Sequence, residues 1–77
     1  MRGAGRRKPG LTLAAHREMA AKLRVARETV LDSIIDIGRA YPVASPLLRD
    51  AKRSLDALDR LRYNLDAACY REHGVDL

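Results

Sequence analysis

Gly38-Arg39-Ala40-Tyr41-Pro42-Val43-Ala44-Ser45-Pro46 lies at the midpoint of a 77-residue chain, and its reading decides the fold. Pro42 pushes the preceding Tyr41 out of the α region, so a helix arriving from upstream must stop there. Gly38 already weakens that last turn, by roughly 1 kcal/mol relative to alanine. Ser45 followed by Pro46 then starts a second helix. A serine hydroxyl caps a free backbone N–H, and proline at the first helical position has no N–H to waste.

Working outward, neither proline nor glycine occurs from Thr12 to Ile37 or from Leu47 to His73. Thr12 is a suitable N-cap for the first helix, and Gly74 fits the position just after the second. We therefore expect helices over about 12–40 and 46–73. Two helices of near-equal length on a short loop fold back antiparallel, giving an all-α helical hairpin.

The apolar pattern agrees. On the first helix Ala15, Met19, Leu23, Ala26, Val30, Ile34, Ile37 and Tyr41 follow spacings of 4, 4, 3, 4, 4, 3 and 4, an eleven-residue rhythm. Leu31 and Ile35 widen this stripe. On the second helix Leu47, Leu48, Ala51, Leu55, Leu58, Leu61, Leu65, Ala68 and Cys69 share a face. Both faces are broader than one neighbouring helix covers. A chain this short usually needs a staple, and with the single Cys69 it can form no internal disulfide. Association is the expected staple: a homodimer closing a four-helix bundle.

Charge divides the chain. Arg2, Arg6, Arg7 and Lys8 give the first ten residues +4, and the remainder is near neutral at +1. Residues 1–11, rich in glycine and like charge, read as a flexible basic arm ahead of a hairpin over 12–77. Within the hairpin, Arg17, Lys22, Arg24 and Arg27 precede Glu28, Asp32 and Asp36. Arg49, Lys52 and Arg53 likewise precede Asp59, Asp66 and Glu72, so antiparallel packing sets acid beside base. No run is long and apolar enough for a membrane span or signal peptide, and a cytoplasmic protein with a reduced thiol is expected. Twelve arginines against three lysines match the usage of a high-GC bacterial or phage genome.

Several groups of residues bear on function. Cys69 and His73 share a helix face, and the hairpin brings His16 level with about Tyr70. These are competent zinc ligands, but no CxxC or HExxH accompanies them, and Glu72 is the only further ligand nearby. The expected reading is a core-edge histidine, a small apolar cysteine and a cation at a helix C-terminus, with no metal, cofactor or catalytic residue. Arg27, Asp59, Arg62 and Asp66 fall on or beside the apolar stripes, and the hairpin brings Arg27 level with about Asp59; the four can form a polar layer that fixes register, or simply extend to the core's edge. Asp32/Asp36 and Asp56/Asp59 read as solvated pairs.

Arg49, Arg53, Arg60 and Arg71 lie within about 40° of one another on the back of the second helix. With the arm they can follow a phosphate backbone, although Asp56 interrupts them and suits an ion pair with Arg60. Gly5-Arg6-Arg7-Lys8-Pro9-Gly10 resembles an AT-hook over six residues, with Arg7 where that motif has glycine. Tyr63 and Tyr70, with Leu31 and Ile35, are the expected interface residues. The sequence thus points to a small non-enzymatic interaction, adaptor or regulatory protein that packs against itself or another protein. The alternative is a DNA- or RNA-binding protein using the arm and the arginine stripe.

Overall fold

The computed structural model describes residues 8–77; Arg2, Arg6 and Arg7 of the basic arm lie outside them. Two helices form, α1 over Leu13–Ala40 and α2 over Pro46–His73. Each starts and ends on the expected signals. The Thr12 hydroxyl accepts the Ala15 N–H at 3.1 Å, and the Ser45 hydroxyl accepts the Leu47 N–H at 3.2 Å. Tyr41 is extended and ends α1. Gly74 takes a left-handed φ of 69°, which only glycine adopts without strain, and its N–H closes on the Tyr70 carbonyl at 2.8 Å.

The two helices pack as an antiparallel hairpin. The thinnest dimension is 14 Å, a single layer of helices. The core is accordingly one seam. Only His16, Leu23, Leu48 and Cys69 are buried among the described residues.

The seam departs from the expected rhythm. Its α1 side is Leu13, His16, Ala20, Leu23, Arg27, Val30, Ile34 and Ile37, all buried or half-buried at spacings alternating 3 and 4. Its α2 side is Leu48, Ala51, Leu55, Leu58, Arg62, Leu65 and Cys69, spaced the same way. This is a seven-residue repeat, the pattern of a coiled-coil seam. Met19 and Tyr41, counted with the eleven-residue stripe, are exposed. Leu47 and Leu61, assigned to the α2 face, are about half exposed. A two-helix layer buries only a narrow line on each helix, so Met19, Leu47 and Leu61, one step off that line, stay exposed while the smaller Ala26 and Ala68 are half-buried.

The seam carries the fold's hydrophobic stabilisation. Leu23→Ala and Leu48→Ala should each lower unfolding stability by about 2–4 kcal/mol, read by urea denaturation at fixed protein concentration. Ile35→Ala, at an exposed position, should stay within about 1 kcal/mol of the parent.

Candidate functional site

The open end of the hairpin gathers the chain's two histidines. Side chains lean toward the N-terminus of their own helix. In an antiparallel pair, His16 therefore leans outward past Cys69, while Glu72 and His73 lean back to meet it. His16 Nε2 faces Glu72 Oε1 at 3.4 Å. The two imidazoles meet edge to face, with centroids 5.3 Å apart. One ligand atom from each of His16, Glu72 and His73 lies within 4.8 Å of the others. Cys69 is not in this group: its fully buried thiol occupies the seam. Glu72, which the sequence offered only as a further ligand nearby, takes the place of Cys69 beside the two histidines, as the lean of the side chains explains.

The residues before α1 complete this end. His73 Nε2 donates to the Leu11 carbonyl at 2.8 Å. The direction is fixed because a carbonyl only accepts, so the neutral ring keeps its lone pair on Nδ1. Gly10 has a φ of +76°, and a Cβ there would come within 2.8 Å of Glu72 Oε1. Gly10 and Leu11 thus sit against the end of α2. His16 is 2% exposed, and its Nδ1 has no hydrogen-bond partner. An unpartnered buried polar atom costs about 1–3 kcal/mol.

Lower on the seam, the Arg27 Nε–H donates to Asp59 Oδ1 at 2.7 Å, the expected cross-helix pair. This hydrogen bond holds the Asp59 carboxyl below its ordinary range against the opposing effect of partial desolvation, with the charges of Arg27 and Arg62 adding to the shift. Arg62 and Asp66 line a shallow hollow with Ala20, Arg24, Leu65 and Leu77. Of the four expected polar-layer residues, Arg27 and Arg62 thus stand on the seam and Asp59 and Asp66 beside it on one flank, with Arg27–Asp59 as their direct bond.

The seven-residue repeat gives the two flanks opposite character. On the flank holding Arg27–Asp59, the positions beside the seam are Arg17, Arg24, Leu31 and Gly38 on α1 and Lys52, Asp59, Asp66 and His73 on α2. On the other flank, Met19, Ala26, Ser33 and Ala40 run alongside Leu47, Ser54, Leu61 and Ala68, with no charge among them. Met19 is 37% exposed, Leu47 49% and Leu61 50%. The Ser33 and Ser54 hydroxyls donate to carbonyls of their own helices at 2.9 and 3.0 Å, so neither is left without an acceptor. The expected interface residues are placed elsewhere. Leu31 is half-buried, while Ile35, Tyr63 and Tyr70 are exposed toward the charged side.

Arg49, Arg53, Arg60 and Arg71 are all exposed on α2, and Lys8 is exposed ahead of α1. Arg49 reaches the Ala44 carbonyl at 3.5 Å. The ion pairs among the described residues are Lys22–Glu18 and Arg27–Asp59, beside the His16–Glu72 contact, so the expected Asp56–Arg60 pair does not form. No described helix is long and apolar enough to cross a membrane. Compared with known proteins, the chain matches no family model, no curated protein and no solved structure.

Two outcomes follow from this geometry. His16→Leu removes an unpartnered buried nitrogen and fills a seam position, so it should raise stability by about 1–2 kcal/mol in thermal or urea unfolding. Asp59→Asn should lower stability near neutral pH. A carboxyl whose pKa is depressed by folding stabilises the protein above its unfolded pKa, and that contribution is lost as pH falls through the folded value. The deficit of the variant should therefore disappear on acidification through the carboxylate range, as followed by denaturation midpoints across pH.

Proposed function

We propose that this chain is a non-enzymatic helical interaction module that works through its uncharged flank, and that the primary occupant of that flank is a second copy. The observation that carries this reading is the row of eight uncharged positions from Met19 to Ala68 beside a seam that buries only four residues. Small residues at Ala26, Ser33, Ala40, Ser54 and Ala68 let another helix approach closely. Met19, Leu47 and Leu61 supply protruding apolar groups that a two-fold partner receives in the corresponding hollows. The two serine hydroxyls are already bonded within their helices, so covering the flank strands no donor. Two hairpins joined in this way make a four-helix bundle, which removes the burial deficit of a single layer. A cytoplasmic setting suits the free Cys69 thiol.

Light scattering should give twice the chain mass at micromolar concentration. Leu61→Glu with Met19→Glu should return the mass to that of one chain and lower the thermal midpoint. Ile35→Glu with Tyr63→Glu, on the charged side, should leave the mass unchanged. A parent that stays monomeric at these concentrations would defeat the reading.

A second reading rests on the four exposed arginines of α2, which have no ion-pair partner among the described residues. In it the helices present Arg49, Arg53, Arg60 and Arg71, together with Lys8 and the arm residues Arg2, Arg6 and Arg7, to DNA or RNA phosphates. Fluorescence anisotropy with labelled duplex and single strands should then show affinity falling steeply with salt. Replacing the four α2 arginines with Gln should weaken binding to all sequences alike.

A further inference from the structure

We propose that His16, Glu72 and His73 form a binding site for a divalent transition-metal ion of the zinc class, which clamps the open end of the hairpin. The three residues offer ligand atoms within 4.8 Å of one another. His16 Nε2 and Glu72 Oε1 stand 3.4 Å apart. Two ligands at zinc-bonding distance in a tetrahedron are separated by about 3.3 Å, so one edge of the site is already at its working length. Two imidazoles and a carboxylate suit zinc and its neighbours rather than magnesium or calcium, which prefer all-oxygen sets.

A second, independent observation is the bond from His73 Nε2 to the Leu11 carbonyl at 2.8 Å. Metal-binding histidines commonly donate their other ring N–H to a backbone carbonyl or carboxylate, which fixes the tautomer and aims the lone pair. His73 has this arrangement without a metal, and its Nδ1 lone pair is left for a cation. A third is the burial of His16 at 2% exposure, which holds its ring in the seam with Nε2 toward Glu72.

The position suits a clamp. The loop at Tyr41–Ser45 joins the helices at one end, and nothing covalent joins them at the other. An ion held by one residue of α1 and two of α2 closes that end and binds only the folded chain, so it stabilises by mass action.

The test uses the metal-free full chain titrated with zinc sulfate in a calorimeter, with thermal unfolding followed by circular dichroism in parallel. One ion per chain and a rise in the thermal midpoint on adding zinc are expected. Glu72→Gln and His73→Gln, both at exposed positions, should keep the helical spectrum and lower zinc affinity by roughly tenfold or more each. Cys69→Ser should bind as the parent does. The proposal is overturned if the parent takes up no zinc, if both variants bind as tightly as the parent, or if binding depends on Cys69.

Discussion

The register between α1 and α2 governs everything else in this molecule. A hairpin of two helices has one line of contact. Where that line falls decides which residues are core, which are flank and which meet at the open end. The turn at Tyr41–Ser45 sets the register coarsely by limiting how far α2 can slide. The Arg27–Asp59 bond at 2.7 Å sets it finely from within the seam. A slide of one seven-residue repeat in one direction would bring Arg27 toward Lys52 and put like charges together. The opposite slide would bring Arg27 toward Asp66 and is opposed by the turn instead. The polar groups on this seam therefore matter less for net stability, where exposed pairs contribute little, than for disfavouring the Lys52 alignment.

The elements were legible because their signals are local. Thr12, Ser45-Pro46, Pro42 and Gly74 act through backbone geometry within one turn, and nothing distant overrides them. The antiparallel arrangement followed from the short loop, and the Arg27–Asp59 level from helix rise alone. The seam was not legible in the same way. Two of its α1 positions are His16 and Arg27, and a third is Ala20, one of a pair of alanines. Counting apolar residues passes over His16 and Arg27 and takes Ala15, Met19 and Ala26 instead, one step around the helix. That substitution turns a seven-residue repeat into an apparent eleven-residue one. It also hides the uncharged flank, because Met19, Ala26, Leu47 and Leu61 are absorbed into a supposed core.

The open end was partly legible for a related reason. Residue levels alone place His16 beside Cys69 and Tyr70. The lean of side chains along a helix, opposite in space for antiparallel partners, moves the meeting point outward, so that Glu72 joins the expected His73 and Cys69 is left in the seam. The involvement of Gly10 and Leu11 lies beyond periodicity, because it depends on the path of non-helical residues before α1. The positive φ of Gly10 and its closeness to Glu72 show why glycine stands there.

The contrast between the two flanks bears on how a partner would be chosen. Covering the Arg24, Arg27, Asp59 and Asp66 side with another helix would strip water from charges that the hairpin satisfies only in part, and such desolvation outweighs the apolar area gained unless every charge finds a match. Covering the Met19, Ala26, Leu61 and Ala68 side removes water from carbon and from hydroxyls already bonded to their own helices. The same sequence thus opposes association on one side of the seam and favours it on the other. Because the flanks are defined by the register, the Arg27–Asp59 pair that holds the register also decides which surface the proposed association would cover. A partly exposed pair of modest energy thereby bears on which surface the fold presents.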